Sequence, residues 1–284
     1  MKNLAFYNGK ITEIEQGTIP INDRACYFGD GVYDATYTRH GFPFAIGEHV
    51  DRFVANAHSV GIEMQFDKAY LCGLLVELCA RVDGEDNFVY WQVSRGSGIR
   101  EHCLDKKAPS NLLIMIYPKA MTTFDKRYAL CLYQDIRYYL CNVKTLNLLP
   151  NVLASQFAKE YGCDECILHR QGMVTEGAHS NISYIKNNLL ISPPNNELIL
   201  KGIAREHLFA AARQLDLEVV QREFYIGEIL DADEIIITSS GTLCASAQSV
   251  DRLAVGGKQP ETIRKLQRLL LDEFEDMTSG RKMF

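Results

Sequence analysis

The stretch Val143-Lys144-Thr145-Leu146-Asn147-Leu148-Leu149-Pro150 sets a single lysine among apolar neighbours, and the run Val174-Thr175-Glu176-Gly177 follows later in the chain. An amine drawn out of water loses part of its hold on the proton and becomes a nucleophile for a carbonyl. A carboxylate working with it suits a ring nitrogen that has to stay protonated. Read alone, Lys144 also fits a plainer role, a lysine that ends a strand and sends its amine to solvent. The surrounding chain decides between the two.

The 284 residues exceed one average domain and predict two modest ones, each with its own core. A net charge of -6 with dispersed lysines and arginines gives no footprint for nucleic acid, and 47% apolar residues are typical of a folded globular chain. The start, Met1-Lys2-Asn3-Leu4-Ala5-Phe6-Tyr7-Asn8-Gly9, turns polar before the core of a signal peptide can form. The longest apolar run, Leu112 to Tyr117, is too short to span a bilayer. Nine cysteines, an odd number scattered through apolar segments, argue for a reducing cytoplasm rather than a disulfide framework. Cys163 and Cys166 form a C-x-x-C that a redox pair or half a zinc site would also show. No second pair follows at ligand spacing, and Cys166-Ile167-Leu168-His169 reads as a strand, so packing is the expected role and no metal site is expected.

The opening residues alternate strand and turn: Leu4 to Tyr7, an Asn8-Gly9 hairpin turn, then Ile11 onward. A second hairpin joins Val32–Tyr37 to Phe42–Ile46 across His40-Gly41. Helices are predicted over Glu48 to Val60, with Val50, Phe53, Val54 and Ala57 on one face, and from near Asp67, with Leu71, Leu74, Leu75 and Leu78. Strands Phe88–Ser94 and Leu112–Tyr117 complete a first α+β domain, 1–117, and residues 118–126 lose their periodicity and read as a linker. A second α+β domain, 127–284, would then carry Lys144. It holds a helix from Asn151 to Tyr161, a hairpin across Arg170-Gln171-Gly172, strands Asn181–Ile185, Leu189–Ser192 and Glu234–Thr238, and helices Ala204–Leu215 and Glu261–Glu275.

Two phosphate-sized cradles lie in that second half. Lys201-Gly202-Ile203-Ala204-Arg205 opens a helix, where unpaired N–H groups and the positive end of the dipole accept an anion. Thr238-Ser239-Ser240-Gly241-Thr242 ends a strand in small hydroxyls and a glycine, a turn able to donate several hydrogen bonds. Each alone is also an ordinary helix start or turn. Together with Lys144 and Glu176, they supply the contacts that pyridoxal 5'-phosphate asks for.

Phe28-Gly29-Asp30-Gly31-Val32-Tyr33-Asp34, Glu48-His49-Val50-Asp51-Arg52, Lys144-Thr145-Leu146-Asn147, Thr175-Glu176-Gly177 and Lys201-Gly202-Ile203 resemble, in the same order, the fold-type IV pyridoxal phosphate enzymes. The likeness runs from about Tyr7 to Leu270. Within that family Arg95-Gly96-Ser97-Gly98-Ile99-Arg100-Glu101-His102 is similar to the R-x-H carboxylate trap of the D-amino acid transaminases. The resemblance implies a two-domain α+β fold with mixed sheets and flanking helices, and a homodimer. It implies that Lys144 forms the aldimine and carries the proton at Cα, and that Glu176 holds the pyridine nitrogen protonated. Arg52 would grip the phosphate with N–H groups near Ile203 and Ala204 and with Ser240, and Ser239 lies in the same turn. Leu200 would pack on one cofactor face, and Arg137 would support Glu176. Tyr33, Arg100 and His102 would bind the substrate carboxylate, the last two reaching in from the neighbouring subunit. The implied reaction moves an amino group from D-alanine or a similar D-amino acid to 2-oxoglutarate, leaving pyruvate and D-glutamate.

Three features depart from the family pattern: Ala178-His179 stand where small hydroxyl residues are usual, Ala204 replaces a common hydroxyl residue, and Asp34 takes the place of a glutamate often found there. Rival readings are a branched-chain L-amino acid aminotransferase, a lyase like aminodeoxychorismate lyase, and a cofactor-binding protein without turnover.

Overall fold

A computed structural model describes residues 1–103, 108–122 and 124–280. Thr123, inside the expected linker, and 281–284, at the end of the expected second domain, lie outside the described residues. By contacts the chain forms two compact units, one of residues 1–121, 143–147 and 274–284, the other of residues 122–142 and 148–273.

The first unit runs β1 (Leu4–Tyr7), β2 (Lys10–Thr12), α1 (Arg24–Phe28), β3 (Gly31–Arg39), β4 (Phe42–Pro43), α2 (Ile46–Ser59), α3 (Lys68–Cys79), β5 (Asp86–Ser94) and β6 (Asn111–Pro118). Its six-stranded sheet, in the order β2-β1-β6-β5-β3-β4, is antiparallel at every pairing. The predicted periodicity holds: Val50, Phe53 and Ala57 of α2 and Leu71, Leu75 and Leu78 of α3 are buried with Val89, Trp91, Val93, Ile114 and Ile116 of the sheet. Asp67 caps α3 by accepting from the Tyr70 N–H at 2.8 Å, which fixes where that helix begins. The second hairpin is shorter than its sequence suggests. Its return strand stops at Pro43, because Phe44 turns inward under a Thr36 hydroxyl bond of 2.8 Å and Ala45 adopts a left-handed φ of 47°.

The second unit holds β7 (Arg127–Gln134), α4 (Leu149–Glu160), β8 (Glu165–Arg170), β9 (Met173–Gly177), β10 (Asn181–Lys186), β11 (Leu189–Ser192), α5 (Ile203–Gln214), β12 (Glu218–Gln221), α6 (Ile226–Leu230), β13 (Glu234–Thr238), β14 (Ala245–Val250) and β15 (Leu253–Ala254). The last helix is α7 (Pro260–Met277). The sheet of nine strands is mixed, with parallel pairs β14·β7, β7·β8 and β11·β12. Ile167, Ile182, Ile235, Ile237 and Val250 form one core layer with Phe224. Cys131 and Cys166, opposite each other on β7 and β8, pack with Ala154 and Ala158 of α4, and Cys163 is half-buried beside them.

One short segment is placed by strand pairing rather than by its own sequence. Residues 143–147 lie along β3: the Tyr33 N–H donates to the Lys144 carbonyl at 2.9 Å, the Leu146 N–H to the Gly31 carbonyl at 3.0 Å, and Val32 bridges Thr145. Gly31 is required there, since a Cβ would stand 2.5 Å from the Val93 carbonyl oxygen and 2.7 Å from Leu146 Cδ1. Gly31→Ala should therefore cost about 1–3 kcal/mol through overpacking. Gly73→Ala, in α3 with open space around the glycine, should instead stabilise by roughly 0.5–1 kcal/mol. Thermal melts of the two variants should move in opposite directions.

Candidate active site

In the first unit the Lys144 amine is half-buried over the Tyr33 ring, with Nζ 4.3 Å from the ring centroid and a hydrogen bond of 3.3 Å to the phenol oxygen. Tyr33 stacks on Tyr90 at 5.4 Å between centroids, and the Tyr90 hydroxyl donates to Gln92 at 2.7 Å. Burial pushes the Tyr90 phenol upward, so it remains a neutral platform under Tyr33. The plainer role for Lys144, an amine released into water at a strand end, does not describe this geometry.

Arg52, in the second turn of α2, lays its guanidinium on the next residue of β3. Its Nε meets Asp34 Oδ2 at 2.9 Å and a second nitrogen meets Oδ1 at 2.7 Å, a forked pair. His49 Nδ1 lies 2.8 Å from Asp34 Oδ1. Asp34 and His49 are both fully enclosed. Burial raises the Asp34 carboxyl, but Arg52 and His49 facing it outweigh that and hold it well below the ordinary carboxylate range. Burial also lowers the His49 imidazole against the pull of Asp34, which favours a neutral ring that donates from Nδ1. The shorter aspartate in place of the family's glutamate thus anchors Arg52 directly.

Arg100 and His102 are exposed and flank the ring of Phe28, at 5.1 Å and 5.2 Å from its centroid.

In the second unit Glu176 is 5% exposed at the end of β9. It accepts from Arg137, from Asn181 Nδ2 at 3.0 Å and from the Leu200 N–H at 2.9 Å. Arg137 is itself locked, with Nε and a terminal nitrogen each 3.0 Å from an Asp135 oxygen and a further bond of 3.1 Å to the Leu198 carbonyl. Burial alone would lower that guanidinium; Asp135 and Glu176 overcome it and keep the charge fixed. Asn181 also donates to the Leu200 carbonyl at 2.9 Å, so one amide joins the acid, the Leu200 backbone and the entry to α5. A Cβ on Gly202 would meet Asn181 Oδ1 at 1.9 Å, and no side chain caps the helix there. Among the described residues the first N–H groups of α5, at Ile203 and Ala204, have neither an intrahelical nor a side-chain acceptor, the arrangement an anion fits. Behind them Arg205, fully enclosed, bonds Ser192 Oγ at 2.8 Å and Asn195 at 2.6 Å, and burial pushes it down to about 10. Ser239 bonds Thr242 hydroxyl to hydroxyl at 2.9 Å, Ser240 lies half-buried in the same turn, and the adjacent Thr238 hydroxyl is buried with no partner among the described residues.

The donor set fits pyridoxal phosphate by its chemistry: a shielded amine, a carboxylate held by a guanidinium, and an open helix start for a dianion. Asn181, Asp135 and His49 escaped the site reading. Asn181 opens a strand, Asp135 directly follows β7, and His49 sits inside a helix run with no chemistry of its own, so none of the three carries a signal in one sequence. His179, one of the departures, turns to the enclosed Glu165 carboxylate while most of its ring stays exposed, 66%. Ala204 still offers its backbone N–H.

The sequence profile of the class IV amino-transferases matches residues 31–250. Among curated relatives, D-alanine aminotransferase of Bacillus licheniformis is 31% identical over 94% of this chain and 97% of its own length. The Staphylococcus epidermidis enzyme of that name is 33% identical over 93% and 95%. Branched-chain amino acid aminotransferases from Escherichia coli (TM-score 0.86, 18% identity, 100% of this chain and 97% of that one) and Thermoproteus uzoniensis (0.85, 19%, 98% and 96%) share the fold. The chain belongs to the class IV aminotransferases, enzymes that depend on pyridoxal phosphate.

A depressed carboxyl contributes stability above its unfolded value, 3.8 for Asp34, and loses it as pH falls through the folded value. Asp34→Asn should cost about 1.5–3 kcal/mol at neutral pH by replacing the charge-assisted forked bonds to Arg52 with neutral ones. Unfolding curves of wild type and variant should converge as pH drops below 3.8.

Proposed function

We propose that this aminotransferase moves the amino group of D-alanine, or a D-amino acid of similar size, to 2-oxoglutarate, yielding pyruvate and D-glutamate. The observation that carries this is the similarity to D-alanine aminotransferases along nearly the whole chain, joined to the Arg100-x-His102 spacing. The branched-chain enzymes are alike in fold at 18–19% identity, which leaves their substrate with them.

Bound pyridoxal phosphate supplies a carbonyl for the amino group and a ring that takes up the electron pair of the broken Cα–H bond. The chain does the rest. Lys144 anchors the cofactor through its amine and moves the proton at Cα, with the Tyr33 hydroxyl orienting that amine. Glu176, held by Arg137 and Asn181, keeps the ring nitrogen protonated. Arg52, the N–H groups of Ile203 and Ala204, and Ser239 and Ser240 bind the phosphate, and Leu200 packs on a ring face. Tyr33, Arg100 and His102 bind the carboxylate shared by amino acid and oxo acid, which orients Cα–H and so selects the enantiomer.

In this reading the enzyme is a homodimer in which Arg100 and His102 serve the partner's site. Exposed apolar residues along one side of α4, Leu149, Val152 and Leu153, support a second copy, as symmetric dimers commonly bury such faces. Nine free thiols support a reducing cytoplasm. Among the described residues no helix is long and apolar enough to cross a membrane.

Purified enzyme given D-alanine and 2-oxoglutarate should release pyruvate and D-glutamate in equal amounts. Turnover of L-leucine or L-valine in place of D-alanine would reverse the assignment of handedness, and pyruvate from aminodeoxychorismate without any oxo acid would point to a lyase. Lys144→Ala should lose about 10³-fold or more in kcat while equilibrium dialysis still finds cofactor held through the phosphate.

A further inference from the structure

The segment carrying Arg100 and His102 has no secondary structure of its own: Ile99 is 83% exposed and residues 99–103 all face solvent. A binding loop of that kind needs an external brace to hold its side chains in one arrangement. The first turn of α1 supplies it. The Arg24 N–H donates to the Gly96 carbonyl at 2.9 Å, and the Gly98 N–H to the Asn22 carbonyl at 3.0 Å. The Tyr27 hydroxyl adds a bond of 2.5 Å to the Gly98 carbonyl.

The Arg24 side chain goes further. Only 3% of Arg24 is exposed, although it lies in a surface helix of five residues. Its Nε bonds Asp30 at 2.7 Å, one terminal nitrogen reaches the Glu101 carbonyl at 2.6 Å, and the other reaches the His102 carbonyl at 3.1 Å. The guanidinium also lies 4.7 Å from the centroid of Phe28, the ring that Arg100 and His102 flank. Asp30 is shared with Arg95, which in turn ties down the Val60 and Gly61 carbonyls at 2.9 Å and 2.7 Å. A buried cation is expensive unless its donors are used, and here they are spent on the two carbonyls that flank and include His102.

We propose that Arg24 is the positioning residue of the carboxylate-binding loop: it fixes the backbone at Glu101 and His102, and with Phe28 sets where Arg100 and His102 present their charges. Arg24 itself does not touch substrate. The inference rests on the proposed role of Arg100. Lysine in its place keeps the charge for Asp30 but has no planar fork to span both carbonyls, and Arg95 still partners Asp30, so Arg24→Lys retains the fold.

Steady-state kinetics of the Arg24→Lys holoenzyme test this. KM for D-alanine and for 2-oxoglutarate should each rise by about tenfold, the scale of one charge-assisted contact, with kcat little changed. The rate with a primary amine that lacks a carboxylate should stay as in wild type. Arg100→Ala serves as the reference. If Arg100→Ala raises both KM values and Arg24→Lys raises neither, Arg24 has no positioning role and the substrate reading stands. If Arg24→Lys slows the carboxylate-free amine as much as D-alanine, its effect is general damage and the proposal fails. If Arg100→Ala leaves both KM values unchanged, the carboxylate-binding role falls and the inference falls with it.

Discussion

The paired backbone bonds between β3 and residues 143–147 are the constraint on which the chemistry of the first unit depends. Lys144 has a long, flexible side chain and no preference of its own for one position. Its main chain is fixed because the Lys144 carbonyl accepts from Tyr33 and the Gly31 carbonyl accepts from Leu146, and Tyr33, fixed by the same bond, supplies both the ring and the hydroxyl that receive the amine. The side chain is thus placed by a strand whose other edge is paired over its full length to β5, from Gly31 with Ser94 to Arg39 with Asp86. Such pairing leaves the amine little freedom beyond its own rotamers, the preorganisation that the proposed proton transfer would use.

Enclosed charge is handled in the same manner in both units. Asp34 and Glu176 would each be costly if buried alone, and each meets a forked or charged donor together with a neutral one: Arg52 with His49, and Arg137 with Asn181 and a backbone N–H. The arginines are oriented as a consequence. Arg137 is held from behind by Asp135, which also receives Arg170 at 3.2 Å, so the direction of its fork is decided before any cofactor is bound. Preorganisation of this type removes the reorganisation cost that flexible ion pairs would add to binding.

Much of this was legible from residue order. Strands Leu189–Ser192 and Glu234–Thr238 and the capped start of α3 follow from alternation and from Asp67, signals that act over a few residues. Lys144 and Glu176 stood out by the chemistry of their short runs, and the other site residues were named because ordered motifs resemble the fold-type IV enzymes, a resemblance that carries their roles. What stayed hidden depends on partners distant in sequence. The Arg127–Gln134 strand, RYALCLYQ, finds its place only through parallel neighbours β14 and β8, and its own pattern is too irregular to announce it. The five-residue α1 is shorter than any periodicity can register, and Arg24 reads as a solvent residue until Asp30 and the 101–102 carbonyls come into view. The grouping of 143–147 with β3 is a long-range pairing of the same kind.

The two tasks of the enzyme are built on different materials. The proposed cofactor contacts would come from strand ends and a helix start, where Gly202 and Asn181 meet so closely that no side chain can be added to the glycine. The proposed carboxylate contacts would come from an exposed loop braced by the buried Arg24. A substitution at Ile99, 83% exposed, would disturb little packing, whereas one at Gly202 would displace the Asn181 amide that binds Glu176. If the proposed roles hold, substrate range would be free to vary at small cost in stability, while the cofactor contacts would stay tied to residues whose exchange disturbs the fold.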